Sequence, residues 1–343
     1  MSDFSDQEYD EEQEGTEEPE LDLGDDEEEQ ENQEQEEEEK IPENSLTEEM
    51  VAEGLSLLCK TGNGLAHAFV RLDAKDKEVT DINILASYIH LRYIDISGNT
   101  LRDISPLNSL THTLTLKCDR NLLSSAKLEE LPYIQNASFT NNRITTMAGV
   151  SHPLLEVLNM SFNEISVISG LEPSKLNRLH TLELRGNKLT TTAGICLPNL
   201  KNLFLGANMI TTIEGLERLD RLTTLHLRDN QIEKLDGFAE TMKSLQYVNI
   251  RANGVTDVKE TSKLKCLPLL RALVLSDNPC MDEDDYRMEV LINVRTVERL
   301  DKDEYSEDER HEAEETYDQR RAEALAAEKK VCEQKAWLTV PSD

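Results

Sequence analysis

Residues that could support catalysis or metal binding are present, but none of them form a pattern that such chemistry requires. The seven histidines do not recur at the spacing of metal ligands; they are His67, His90, His112, His152, His180, His226 and His311. The sequence also contains no H-E-x-x-H, no P-loop, no G-x-S-x-G and no dinucleotide-binding pattern. We therefore expect a protein that is not an enzyme and has no cofactor or bound metal.

Two short segments resemble ligand sites only superficially. Thr61-Gly62-Asn63-Gly64 lacks the Gly-Lys-Ser/Thr core of a phosphate loop, and we interpret it as a helix stop followed by a turn. Asp282-Glu283-Asp284-Asp285 lacks the loop glycine and distal glutamate of a calcium-binding hand. Carboxylates are favourable at a helix N-terminus, so this run predicts the start of a helix.

The negative charge is concentrated at the two ends of the chain. The formal net charge is -33, and residues 1–40 carry 22 acidic residues against Lys40 alone. This head has few large apolar side chains, which predicts a disordered segment. It either contacts a basic partner or acts only as a solubilising tail. The acidity argues against nucleic-acid binding, which needs a basic surface.

The sequence predicts an intracellular protein. No basic and apolar leader is found at the N-terminus, and no run approaches the roughly 18 apolar residues of a membrane span. The six cysteines are far apart and include no C-x-x-C pair. This pattern is typical of reduced thiols in the cytoplasm.

A repeat of 21 to 25 residues occupies the middle of the chain. Each unit has apolar residues eight, five and three positions before an asparagine and another two positions after it, as in Leu222, Leu225, Leu227, Asn230 and Ile232. The nine asparagines are Asn99, Asn121, Asn142, Asn163, Asn187, Asn208, Asn230, Asn253 and Asn278. A degenerate earlier unit is indicated by Val70, Leu72, Val79 and Ile82.

The pattern predicts a solenoid in which each L-x-x-L-x-L segment is a short strand of a parallel sheet. The asparagine turns the chain out of the strand, and its buried amide must bond to backbone groups of adjacent coils. The three-residue spacing of Ile210, Ile213, Leu216 and Leu219 suits a 3₁₀ or short helical return. The asparagine column is therefore structural.

Both ends of such a solenoid need caps, because the terminal coils would otherwise expose their core. Ser45 and Glu48 form a capping-box pattern that predicts a capping helix over residues 45–60. The predicted organisation comprises an acidic head at 1–42, an N-terminal capping helix at 43–66, the repeat array at 67–278, a C-terminal cap at 279–302, a charged helix at 303–337 and a tail at 338–343.

The strand register identifies the residues displayed on the concave sheet. Arginine and aromatic residues, the usual types at interface hot spots, recur toward its C-terminal half. The predicted partner-binding patch consists of Arg185, Phe204, His226, Arg228, Tyr247, Arg251 and Arg271. We expect it to contact an acidic or mixed segment of a partner. The alternative is a solvated face whose arginines pair with Glu183 and Asp229.

The coils of about 22 residues and the Asn278-Pro279 cap resemble the short leucine-rich-repeat family, which includes phosphatase regulators, spliceosomal proteins and ciliary proteins. The resemblance implies an α/β solenoid with a concave parallel sheet, a convex side of 3₁₀ or short helices and capping elements. The helix-forming composition of residues 303–337, which lack Pro and Gly, adds a C-terminal charged helix. Over residues 45–302 the chain is most similar to one axonemal member. The segments that carry this likeness are EGLSLLCKTGNGLAHA at 53–68, SYIHLRY at 87–93, TTLHLRDNQI at 223–232 and KSLQY at 243–247.

That closer resemblance implies a component of the radial spokes in motile cilia and sperm flagella. Its implied partners are other radial spoke head proteins and the microtubule-associated complex of the axoneme, so its implied location is the cytoskeleton of the cilium or flagellum. Composition and repeat period alone predict only an intracellular scaffold. They leave open a phosphatase regulatory subunit or an acidic nuclear histone-binding protein.

Overall fold

The computed structural model describes residues 42–62 and 64–338. The predicted acidic head lies outside the described residues except for Pro42, and so does the predicted tail after Leu338. The described chain contains one sheet of thirteen strands that follow one another in chain order. Strands β2 to β12 are parallel neighbours, and an antiparallel strand is added at each end. The predicted repeat solenoid is confirmed.

Most strands are three residues long and recur once per coil. Their bounds are β1 Leu55–Lys60, β2 His67–Asp73, β3 Tyr93–Asp95, β4 Thr115–Lys117, β5 Asn136–Ser138, β6 Val157–Asn159, β7 Thr181–Glu183, β8 Asn202–Phe204, β9 Thr224–His226, β10 Tyr247–Asn249, β11 Ala272–Val274, β12 Arg299–Leu300 and β13 Asp303–Glu304.

The core is a set of apolar columns that run from coil to coil. Leu225 in the middle of β9 pairs in register with Leu203 on one side and Val248 on the other, and all three are fully buried. The residues before and after each of them point to the concave side because side chains alternate along a strand. The repeated leucines therefore fix which side chains each coil displays.

The predicted asparagine column is present and hydrogen-bonded. The Asn208 amide nitrogen donates to the carbonyls of Leu184, Leu205 and Gly206 at 3.0, 2.9 and 3.2 Å. Its amide oxygen accepts from the backbone N–H of Leu189 at 3.2 Å. One side chain thus satisfies backbone groups of two coils, which a buried backbone requires. Its role is structural, as the sequence predicts.

The convex side returns through short 3₁₀ helices in several coils, as the three-residue spacing predicts. They span Asn83–Ser87, Ser105–Ser109, Leu216–Arg218, Val258–Cys266 and Pro279–Asp282. Each buries only one to three apolar or small side chains, such as Leu216. The returns are short because each coil has only about 22 residues.

The N-terminal cap differs from the predicted helix at 43–66. Helix α1 spans only Glu48–Gly54, and its N-cap is Thr47, whose side chain accepts from the Met50 N–H, rather than Ser45. Residues from Leu55 form β1, which pairs antiparallel with β2. The predicted helix-stop segment at Thr61 is therefore the connection of a β-hairpin, in which the Thr61 N–H donates to the Ala66 carbonyl.

Residues from Leu55 form a strand instead of a helix because β2 would otherwise be an exposed edge of the sheet. An open edge presents unpaired backbone groups, and pairing with β1 satisfies them, which outweighs the helix propensity of the leucine-rich segment. Gly54 makes the connection possible, since an added Cβ would lie 2.1 Å from the Asp73 carbonyl oxygen. The chain therefore passes from the end of α1 directly into β1, which lies beside β2.

The C-terminal cap consists of helix α2 at Tyr286–Asn293 followed by β12. The acidic run before Tyr286 leads into α2, as predicted. The charged helix α3 spans Glu307–Leu338, whereas the prediction begins it at 303. Asp303 and Glu304 instead form β13, which closes the sheet edge against β12. Ala313 on α3 is buried, so the start of this helix packs on the cap.

Candidate functional site

The concave surface near the C-terminal half of the array is built from neighbouring positions on adjacent strands. Glu183, Phe204, His226 and Asn249 occupy the same position on β7, β8, β9 and β10 and are register neighbours. This is the row that the repeat pattern predicts. Because each residue follows a buried apolar residue in a three-residue strand, its side chain points away from the core.

Three aromatic rings form a continuous stack across β8, β9 and β10, which we call the aromatic ladder (Phe204, His226 and Tyr247). The centroids of the Phe204 and His226 rings are 4.7 Å apart with an interplanar angle of 24°. The His226 and Tyr247 centroids are 5.0 Å apart and the rings are tilted by 37°. All three side chains are partly exposed on the concave face. Because the rings face one another, the ladder presents a row of aromatic ring edges to the concave side.

The middle ring of the ladder is held in its neutral form. Burial lowers the pKa of His226, and the positive charge of Arg228 lowers it further. A neutral imidazole stacks between two apolar rings without a charge to solvate. The ladder therefore presents itself at neutral pH as an uncharged aromatic strip with guanidinium groups beside it.

Arg228 and Arg251 line the edge of the sheet where the strands end. The Arg228 Nε lies 2.9 Å from the Asp229 carboxylate, and the Arg251 Nε lies 2.6 Å from the Asp277 carboxylate. Each pair leaves one edge of a half-exposed guanidinium facing solvent. The pairing with Asp229 is the one that the solvated-face alternative expects, but such surface pairs contribute little stability.

Within the described part of the chain, Glu183 does not pair with an arginine, in contrast to that alternative. Its carboxylate accepts from the Asn159 amide nitrogen at 2.8 Å, and burial raises its pKa. Arg185, two residues later, instead lies over the ring of Phe162 with its guanidinium carbon 5.5 Å from the ring centroid. Among residues 42–62 and 64–338, Arg185 makes no ion pair.

Phe162 is a surface residue that the sequence analysis missed. It immediately precedes Asn163, a position with a left-handed backbone, and it is 43% exposed. Its ring covers Gly186, where an added Cβ would lie 2.4 Å from the ring. An aromatic residue at a position that holds small or polar residues in most other coils is a sequence signal that could have identified it.

Arg271 lies apart from the predicted patch residues Arg228 and Arg251. Its backbone N–H donates to the Gln246 carbonyl, so it lies at the edge where the strands begin. Arg251 follows Gln246 by five residues, which corresponds to roughly 16 Å along the strand direction. The structure separates Arg271 from Arg228 and Arg251 along the strand direction, because Arg271 follows the first core leucine of its repeat, not the last.

The first strands of the array display a different surface. Lys75 lies 3.0 Å from the Asp73 carboxylate and 4.0 Å from that of Asp95, and these carboxylates raise the pKa of Lys75. Lys117 adds a further positive charge in the same row. Acidic and basic groups therefore alternate here, whereas positive charge and aromatic rings dominate the C-terminal half.

The described residues include neither a cluster of side chains suited to a metal ion nor a helix suited to span a membrane. No group of three or more His, Cys, Asp or Glu side chains within 42–62 and 64–338 is arranged to hold a metal ion. In the same ranges, every helix is too short or too polar to cross a bilayer.

The concave site can therefore pack apolar or aromatic groups against the ladder and bond to carboxylates. Aromatic rings fixed on adjacent strands provide contact area at small entropic cost, and guanidinium groups bond to carboxylates in a planar geometry. The surface from β7 to β10 extends over three strand spacings, about 14 Å. That size and openness suit a protein segment better than a metabolite pocket.

Comparisons with known proteins agree with the repeat architecture. A family model described as "Leucine-rich repeat" matches residues 177–331. The chain is 61% identical over 268 residues to leucine-rich repeat-containing protein 23 of Homo sapiens, covering 78% of each chain. It is 60% identical over 270 residues to the Bos taurus protein of the same name, covering 79% of each.

A solved structure shows the same fold. The crystal structure of an internalin from Listeria monocytogenes superposes with a TM-score of 0.50 and 24% sequence identity. The likeness covers 65% of this chain and 64% of that one. At this identity it supports the repeat architecture alone.

Proposed function

The chain belongs to the family of leucine-rich repeat-containing protein 23, and we propose that it is a non-enzymatic scaffold whose aromatic ladder and adjacent arginines bind protein partners. Repeat proteins of this fold are typically binding scaffolds, because stacked coils create an extended concave surface. The side chains there are set by the register of the repeats and are available to a partner.

The observation that carries this proposal is the stack of Phe204, His226 and Tyr247 on the concave side. Partly exposed rings at 4.7 and 5.0 Å spacing form an aromatic strip in a face that is otherwise polar. Arg185, Arg228 and Arg251 lie along one border of it. Aromatic and arginine side chains in this combination are the residue types that contribute most to protein interfaces.

The cellular setting is the second part of the proposal. The resemblance of residues 45–302 to an axonemal member of the short-repeat family supports a role in the radial spoke head of motile cilia and sperm flagella. The partners would be other radial spoke head proteins and the microtubule-associated complex of the axoneme. A scaffold that holds such proteins together would support sperm motility.

Affinity capture tests the binding surface. Full-length protein and its Phe204→Ala/Tyr247→Ala variant are immobilised and exposed to an extract of demembranated flagella. We expect the wild type to retain a defined set of axonemal proteins and the variant to lose most of it. A variant with Arg218→Glu and Lys243→Glu, two exposed cations outside the concave strands of the same coils, serves as the matched control. Equal capture by all three proteins would exclude the ladder as the binding surface.

Localisation tests the axonemal setting separately. A tagged copy of the full chain is expressed in multiciliated cells and imaged together with an axonemal tubulin marker. We expect the signal along the axoneme and its retention after detergent removes the membrane. A nuclear signal would favour a histone-binding protein, and a diffuse cytoplasmic signal that co-purifies with a phosphatase would favour a regulatory subunit. Either result would contradict the axonemal proposal.

A further inference from the structure

A cavity of about 350 Å³ lies where the last strands meet the start of helix α3. We call it the arginine pocket. Its lining residues are Arg271, Ala272, Glu298, Arg299, Glu304, Tyr305 and Arg310. The pocket contains Arg271, the predicted patch residue that lies at the opposite end of the strands from Arg228 and Arg251. It also contains two arginines that the sequence analysis did not connect with the concave face.

The charges around the arginine pocket do not cancel. Three guanidinium groups face two carboxylates, and only one of the carboxylates is tightly paired, that of Glu304 with Arg299. The Arg271 Nε is 3.8 Å from the Glu298 carboxylate, which is too far for a hydrogen bond. Arg310 donates to the Val297 carbonyl at 3.0 Å and makes no ion pair among the described residues. The pocket thus retains positive charge.

Helix α3 holds Arg310 in place. The Glu309 carboxylate, one residue earlier, accepts from the Arg287 Nε at 2.6 Å and from the Ser306 N–H at 2.7 Å. Further along the helix, Arg320 makes two hydrogen bonds to Glu289 on α2, at 2.8 and 2.6 Å. These bonds fix the first four turns of α3 against the cap. The position of Arg310 therefore depends on the docked helix and not on the repeats.

The pocket continues directly from the aromatic ladder. Tyr247 on β10 is the register neighbour of Ala272 on β11, which in turn is the register neighbour of Arg299 on β12. Ala272 has only a methyl group, so the surface between the Tyr247 ring and the pocket stays open. From Phe204 to Arg299 the path crosses four strand spacings, about 19 Å, which about six extended residues would span.

We propose that an extended acidic segment of a protein partner lies along this path, with an aromatic side chain packed against the aromatic ladder and a carboxylate in the arginine pocket. This inference rests on the proposed function, since it names the chemistry of the partner that the ladder binds. Charge complementarity selects the occupant: the pocket is positive and the ladder is uncharged. Arg271 thereby contributes through the pocket and not through the patch with Arg228.

A peptide titration with the full chain tests the inference. The probe is a fluorescein-labelled, amidated peptide, Glu-Glu-Ser-Trp-Ser-Glu-Glu, and its control has glutamine at every glutamate position. Its symmetric sequence makes the result independent of the direction in which the chain lies. We expect the acidic peptide to bind at least tenfold more tightly than the glutamine peptide when fluorescence anisotropy is measured at low salt.

Single-residue variants distinguish the contribution of the arginine pocket to peptide binding from that of the aromatic ladder. Arg271→Gln should remove most of the preference for the acidic peptide. This side chain is exposed, and its only ion pair among the described residues is the long contact with Glu298. Ala272→Leu should have the same effect by filling the path, while Arg218→Gln should leave it unchanged. Tyr247→Ala should weaken both peptides.

The outcomes distinguish this inference from the proposed function. If Tyr247→Ala weakens both peptides while neither Arg271→Gln nor Ala272→Leu alters the preference, the pocket is excluded and the ladder remains. Absence of any preference in the wild type also overturns the inference. If flagellar proteins are captured equally with and without the ladder rings, the proposed function itself fails.

Discussion

The ring of Phe204 on β8 stacks on the ring of His226 on β9 with 4.7 Å between centroids. The two residues are register neighbours, so the spacing of the sheet sets the spacing of the rings. The surface is therefore fixed by the same leucines and asparagines that build the solenoid. Changes to the core should destroy fold and surface together, whereas changes to displayed side chains should affect binding alone.

Adjacent substitutions directly after β9 test the register. Leu227 is fully buried, so Leu227→Asp places a charge in the core and should cost more than about 4 kcal/mol, enough to unfold the array. Arg228→Glu, one residue later on the concave side, should change the unfolding free energy by no more than about 0.5 kcal/mol. Thermal unfolding followed by circular dichroism compares them. Equal destabilisation by the two variants would show that the strand register is wrong.

Each asparagine of the column should contribute measurably to the stability of the array. Asn208→Ala removes three hydrogen bonds to carbonyls and leaves the Leu189 N–H without its acceptor. We expect a loss of about 1–3 kcal/mol in chemical denaturation. Asn202→Ala is the control, because the Asn202 amide lies on the concave side and donates to the Thr181 hydroxyl. A loss at position 208 no greater than that at 202 would contradict the structural role.

A buried histidine should make the array sensitive to mild acid. His152 is 2% exposed, its Nδ1 accepts from the Leu131 N–H, and burial lowers its pKa to about 4. The unfolded chain binds this proton near pH 6.5. The unfolded state therefore binds more protons between pH 6.5 and 4, and stability falls as the pH drops through that range.

The unfolding free energy should fall by at most about 2 kcal/mol between pH 7 and pH 5 because of His152. Urea unfolding at the two pH values measures it. His152→Asn should be less stable at pH 7 but should lose less on acidification, while the same change at exposed His90 should preserve the wild-type loss. Identical pH sensitivity in the wild type and the His152 variant would disprove the assignment.

The docking of α3 should depend on Glu309. Hydrogen bonds from Arg287 and Ser306 lower the pKa of Glu309 to about 2. The contribution of the ionised Glu309 carboxylate to stability is complete above the unfolded pKa of about 4.3. It is lost as the pH falls toward 2. At pH 7, Glu309→Gln should accelerate amide hydrogen exchange over residues 307–320, whereas Glu314→Gln at an exposed position should not. Unchanged exchange in the Glu309 variant would show that other contacts hold the helix.

The repeat period was sufficient to predict the solenoid, its strands and the concave rows. Leu225, Leu227 and Asn230 each have an equivalent in every coil, so a single local pattern determines burial, register and the direction of each side chain. Phe204 and His226 could be assigned to the concave face for that reason. The repeated units contain the information that the fold needs.

Features that depend on contacts between different elements could not be predicted in this way. The leucines at 55–58 suit a helix as well as a strand, and only the unpaired edge of β2 decides between them. Arg310 reaches the sheet because α3 docks on α2, a contact that no repeat period encodes. The position of Arg271, in contrast, follows from the sequence. Arg271 comes directly after Leu270 and therefore lies five residues before the row that contains Arg251.

The most direct test of the partner-binding surface is the affinity of a captured axonemal partner for charge-reversal variants. Purified partner is titrated against the wild type, against Arg228→Glu/Arg251→Glu, and against Arg218→Glu/Lys243→Glu as a control of equal charge change. We expect the concave variant to bind at least tenfold more weakly and the control to bind within about twofold of the wild type. An unchanged affinity in the folded concave variant would contradict the assignment of this surface as the binding site.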